Sequence, residues 1–148
     1  IRDRFRNTTS WVDAKNTKTD LPLVNIPPLT INNQLQFSLP NWESFIVLLN
    51  SKAVFQQNRY PDNNFTEDII EDGKIVSKLV DISTPPNGYH DLGLELNWGP
   101  YPLCSSKISM SLIFDNLLDV SYRNYLNRLR FYADEVGRNV MLQIKIQH

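Results

Sequence analysis

The chain is poor in the residues that catalysis, metal binding or nucleic-acid recognition require. A single cysteine, Cys104, stands among 148 residues, so no disulfide can form within the chain. It reads as an idle thiol in a turn, because no second cysteine or histidine lies near it at zinc-ligand or redox-pair spacing. The two histidines, His90 and His148, belong to no motif such as H-E-x-x-H and are expected to be structural or solvated. No residue set supports catalysis, so neither enzymatic activity nor a cofactor or metal is expected. Lys and Arg number 15 against 16 Asp and Glu, a net charge of -1 that lacks the basic footprint of a nucleic-acid binder. A run of ~18 apolar residues is also missing, which excludes a transmembrane helix. The mean hydropathy of -0.35 does not exclude a membrane barrel, whose lipid-facing and lumen-facing residues cancel in the average. The opening "IRDRFRNTTS" is charged, has no apolar core and does not start with Met, so the chain is expected to be a mature or internal piece of something larger.

What the sequence does have is period-two alternation, the mark of strands with two unlike faces. In "LTINNQLQFSL" Leu29, Ile31, Leu35, Phe37 and Leu39 alternate with Thr30, Asn32, Gln34, Gln36 and Ser38. After "PNW" at 40–42, "ESFIVLLNSKAVFQ" sets Phe45, Val47, Leu49, Ala53 and Phe55 on one face. "GYHDLGLELNW" sets Leu92, Leu94, Leu96 and Trp98 against Asp91, Gly93, Glu95 and Asn97. "ISMSLIFDN" and "NVMLQIKIQH" repeat the pattern, and "RDRFRNTTSWV" gives it more weakly, with Phe5 and Trp11 opposite Arg4, Arg6 and Thr8. These predict six strands of roughly 9–12 residues, longer than the ~5–6 usual in soluble sheets and near the ~9–11 of a tilted spanning strand.

The connections alternate in length. Those at 13–28, 57–87 and 117–137 are long, whereas 40–42 and 99–107 are short. Up-and-down membrane barrels show this asymmetry, with short periplasmic turns and long outer loops. Trp42 and Trp98 stand at the ends of apolar stripes near the short connections, where an aromatic girdle would meet the membrane interface. The carboxylates Glu67, Asp68, Glu71 and Asp72 match no calcium-loop spacing and are expected to form a solvated acidic loop. "YRNYLNRLRFYADEVGR" is expected to be an ordered loop, since its rings and arginines can stack and its arginines can fork onto Asp119, Asp134 or Glu135.

"IFDNLLDVSYRNYLNRLRFYADEVGRNVMLQIKI" resembles the C-terminal end of TonB-dependent outer-membrane receptors. The matching residues are Asn116, Leu117, Leu118, Tyr122, Arg123, Tyr125, Arg128, Gly137, Arg138 and Asn139, followed by the alternating final strand. Upstream, "WVDAKNTKTDLPLVNIPPLTINNQLQF", with Pro27 and Pro28 opening a strand, and "PPNGYHDLGLEL" are similar to earlier stretches of the same family. Order and spacing agree over nearly the whole chain. One departure lies at the end, where the family usually has an aromatic residue and this sequence has His148.

The resemblance implies an all-β, antiparallel up-and-down transmembrane barrel of 22 strands enclosing a plug domain. Residues 1–148 would supply its last six strands, without the plug or the earlier wall. It further implies an active transport receptor in the outer membrane of a Gram-negative bacterium, for a scarce nutrient such as an iron-siderophore or a cobalamin-like compound. Its partners would be outer-membrane lipid and lipopolysaccharide, the rest of the barrel with its plug, and the TonB-ExbB-ExbD coupling system reached through the missing N-terminal part. The barrel-assembly machinery and a surface lipoprotein complete that set; nucleic acid is not among them. Arg123, Arg128 and Arg130 are the candidate ligand-binding residues of an outer loop, the competing expectation being that they pin the loop to its neighbours. The rival fold is a soluble antiparallel β-sandwich serving as a binding module, in which the apolar stripes pack against a second sheet.

Overall fold

The computed structural model describes residues 3–39 and 44–148. Among these residues eight strands form: β1 (Arg4–Ser10), β2 (Thr30–Ser38), β3 (Phe45–Val54), β4 (Phe65–Glu71), β5 (Lys74–Val80), β6 (Tyr89–Leu103), β7 (Ser106–Asp115) and β8 (Asn139–Gln147). Six of them make one antiparallel sheet in the order β1-β2-β3-β6-β7-β8, and β4 pairs only with β5. The main sheet is therefore a meander in which each strand pairs with the next, with the β4–β5 hairpin inserted between β3 and β6. The fold is all-β and antiparallel, and the sheet is open at β1 and β8.

Register sorts the side chains onto two faces. Phe5 stands opposite Leu35, Leu35 opposite Leu49, and Leu49 opposite Leu94. Leu94 then meets Phe114, and Phe114 meets Val140. One apolar face thus runs unbroken across all six strands. The other face carries Arg4 opposite Gln36, Arg6 opposite Gln34, Gln34 opposite Asn50 and Ser111 opposite Gln143. Alternation in the sequence becomes two-sidedness in the sheet because strand side chains have a period of two.

None of the described residues covers the apolar face. Each strand touches only its partners within its own sheet, so the described residues provide no second layer for a sandwich. Leu142 is 60% exposed and Phe5 62%, and every residue of β1 and β8 is exposed. Among the described residues the buried apolar side chains are few, Ile26, Phe45, Val54 and Tyr125 with Pro28 and Pro85, and no large side chain is wholly enclosed. A Leu, Ile or Phe left in water forgoes roughly 1.5–3 kcal/mol relative to full burial, so an open face of this extent requires an apolar environment outside the chain.

Two expectations need correction. The strand expected to end at Trp98 continues through a register shift between Trp98 and Tyr101 to Leu103, so the connection is only the two residues Cys104 and Ser105. Gly99 permits this: its φ is +97°, and a Cβ there would lie 2.6 Å from the Ile108 carbonyl oxygen. The stretch 57–87 is not a plain acidic loop either, because it holds β4 and β5. Their two-residue turn, Asp72-Gly73, has φ of 51° and 75°, the positive pair that a hairpin turn matched to strand twist demands. Glu67 lies opposite Lys78, and Glu71 opposite Lys74, so two of the four expected loop carboxylates sit in cross-strand charge pairs.

Candidate functional site

The three long connections emerge from one end of the sheet. The first, 11–29, turns back on itself through an isolated bridge between Lys15 and Pro22. It is tied to the third connection in chain order, 55–88, by Arg59, which pairs with Asp13 at 2.7 Å and lies over the Trp11 ring at 4.7 Å. Buried Gln57 donates from Nε2 to the Ile26 carbonyl at 2.9 Å and fixes the chain before the Pro-Pro step. At the base of the β4–β5 hairpin, Asn64 Oδ1 accepts from the backbone of Ile82 and Ser83. Asp81 accepts from the Thr84 and Ser83 amides, and the Thr84 amide above all holds its carboxyl below the usual range.

The fifth connection, 116–138, begins at buried Asn116, which sits at φ 48°. Its side chain accepts from Val120 N and donates to Val120 O, both at 2.9 Å, closing a tight loop that a short amide can satisfy from both sides. Tyr122 stacks on Tyr89 of β6 with ring centroids 3.9 Å apart, and Glu135 N donates to the Tyr122 carbonyl. Burial, together with the carboxylates of Asp91, Glu135 and Asp115, pushes the Tyr122 phenol up. Arg123 Nε donates to Asp134 Oδ1 at 2.6 Å, and Ser121 donates to the same carboxylate. Asn127 caps a single 3₁₀ turn, Arg128–Phe131, and also donates to Glu135 at 2.7 Å.

The candidate arginines separate. Arg130 is buried, lies 4.4 Å over the Tyr125 ring and 4.6 Å over the Phe131 ring, and donates to the Tyr125 carbonyl. Arg123 is half exposed and held by Asp134. Arg128 is exposed on the 3₁₀ turn. Two of the three expected carboxylate partners differ: Asp119 accepts from the Arg138 backbone and Glu135 from Asn127, while the Arg123 side chain takes Asp134. The expected ring stacking is present at Arg130.

Between these connections lie two open clefts. One, of about 360 Å³, is lined by Pro85, Pro86, Gly88, Tyr122, Arg123 and Asp134. Another, of about 320 Å³, is acidic, with Asp91, Asp115 and Glu135 beside Asn116, Tyr122 and Asn139, and Asp91 Oδ1 is buried there without a hydrogen-bond partner. Among the described residues no three His, Cys, Asp or Glu side chains are placed to hold a metal ion.

At the opposite end of the sheet, Trp98 sits on the apolar face, its ring 5.0 Å from that of Phe45, with Tyr101 and Phe37 on the same face. Trp42 lies outside the described residues. His148 accepts or donates at Nδ1 with Ser106 Oγ at 2.7 Å, which ties the chain end to the start of β7. The sequence reading named Asn116 only as part of the family resemblance and passed over Tyr89, although a Tyr opening a strand was visible as a packing signal.

No family model matches the chain, and no curated protein matches it in sequence. Among solved structures it is similar to copper transporter OprC, with 18% identity and a TM-score of 0.66 over 96% of this chain. The likeness is one of fold, and the chain spans 20% of the length of that protein.

Proposed function

We propose that the chain forms the last six wall strands of a TonB-dependent outer-membrane receptor, an active transporter of a scarce nutrient. One observation carries this reading: a continuous apolar face crosses six strands and none of the described residues covers it. Hydrocarbon is the environment that repays such a face, and the polar face then lines a wet interior holding the plug. Six spanning strands fall short of the minimum of about eight in a closed membrane barrel, and an open edge in lipid leaves backbone groups unpaired at several kcal/mol each. The rest of the barrel, up to the 22 strands the family resemblance implies, therefore joins at the β1 and β8 edges.

The fold likeness to a transporter supports the same assignment. On this reading Phe37, Phe45, Trp98 and Tyr101 are the periplasmic interface girdle, and the long connections face the medium. Lipid and lipopolysaccharide meet the apolar face. The barrel-assembly machinery inserts the chain, and the TonB-ExbB-ExbD system acts through the plug. The cargo class that goes with the family resemblance is an iron-siderophore or cobalamin-like compound, with the clefts at Arg123 and Tyr122 as part of its entry wall. Cell fractionation tests the assignment. The full-length protein should sediment with the outer membrane and leave it only in detergent; a water-soluble, monodisperse monomer would contradict it.

A further inference from the structure

A third cavity, of about 220 Å³, lies where the three long connections meet, and it is lined by Asn25 of the first, Asn63 and Ser83 of the third, and Tyr125 and Arg130 of the fifth. We propose that it is an oxyanion site, taking a phosphate or carboxylate group that clasps the three connections together.

The case rests on Arg130. Its guanidinium cannot shed its proton, and the residue is only 8% exposed. A charge taken out of water needs a partner, yet no carboxylate lines this cavity or pairs with Arg130 among the described residues. The nearby acids are engaged elsewhere, Asp134 by Arg123 and Glu135 by Asn127. The rings of Tyr125 and Phe131 offset part of the cost from its faces, and Nη1 has the Tyr125 carbonyl. Nε is buried with no acceptor at all. The Nε–Nη2 edge of a guanidinium carries two parallel N–H groups that can fork onto two oxygens of one anion.

The second buried polar group of the cavity is complementary. Ser83 Oγ accepts from the Asn63 amide at 2.7 Å, so its own hydroxyl proton is left to donate. Asn25 and Asn63 also line the cavity, and an asparagine side-chain amide is a neutral donor. The lining thus offers one cation and several donors to a guest rich in acceptors. The site uses residues of this chain alone and does not depend on which cargo is transported.

The test is calorimetric titration of the full-length protein, in a phosphorus-free detergent and buffer, with inorganic phosphate and separately with acetate. Saturable binding of either anion is expected. Arg130→Gln should weaken it by on the order of tenfold or more, since a charge-assisted hydrogen bond is lost. Ser83→Ala, a smaller change, should weaken it several-fold, and Arg138→Gln, which removes an exposed cation of the connection that carries Arg130, should leave it unchanged. If lipid A micelles displace phosphate, the same site takes a lipid headgroup phosphate; if they do not, its guest is a soluble anion. Absence of saturable binding to both anions, or binding that survives both Arg130→Gln and Ser83→Ala, would overturn the proposal.

Discussion

At the pair Arg123 and Asp134 the fifth connection is held by a charge-assisted hydrogen bond whose strength depends on pH. Arg123 first, then Ser121, holds the Asp134 carboxyl below its ordinary value of 3.8. A carboxyl depressed in the folded state stabilises that state at pH values above its unfolded pKa, and the contribution fades as pH falls through the folded value. The loop should therefore keep its order at neutral pH and begin to loosen only below about pH 4. Hydrogen exchange at the Glu135 amide, bonded to Tyr122, reads this directly. In Asp134→Asn the acid-dependent step should vanish, and a step that persisted would place the titrating group elsewhere. The sequence made the ring-and-arginine chemistry of this loop legible as composition. It could not tell which carboxylate each arginine would find, because partners eleven residues apart, such as 123 and 134, are chosen by how the loop folds back.

At the scale of the strand, register makes two adjacent residues of β2 unequal. Leu35 stands between Phe5 and Leu49 on the apolar face, while Gln36 stands between Arg4 and Leu48 on the polar one. In lipid, Leu35→Arg near mid-span should cost about 2–4 kcal/mol. Gln36→Arg should cost at most about 1 kcal/mol, the repulsion from Arg4 directly opposite. Urea unfolding of the full-length protein in bilayers measures both, and equal costs would contradict the two-faced sheet. All six strands of the main sheet were legible because alternation survives wherever one face is greasy. The β4–β5 hairpin was not, since its strands are exposed on both faces and their alternation is broken by adjacent Ile69-Ile70 and Ile75-Val76. Its signal was local instead: Asp72-Gly73 between two apolar pairs is turn chemistry, and the acidic content around it drew the reading toward a loop.

Across the whole molecule, strand reversal puts every long connection at one end and the Cys104-Ser105 turn at the other. Cys104 is an exposed free thiol, so it reports topology without a new substitution. A bulky polyethylene-glycol maleimide should leave it unmodified in intact cells and modify it once the outer membrane is opened. Whether the sheet closes into a barrel was beyond the alternation for a physical reason: an edge strand such as β8 carries the same pattern whether its neighbour is solvent, lipid or another strand. The claim on which the whole account turns is that the apolar face meets hydrocarbon. Nitroxide labels introduced one at a time as Leu35→Cys, Leu94→Cys and Leu142→Cys, and as Gln36→Cys, Glu95→Cys and Gln143→Cys, with Cys104 replaced by Ser, test it in the full-length protein in outer-membrane vesicles. The account predicts that the leucine-site labels collide with dissolved oxygen far more than with a water-soluble nickel chelate, and that the other three show the reverse. Leucine-site labels open to the nickel chelate, or shielded from both reagents by a second protein layer, would contradict it.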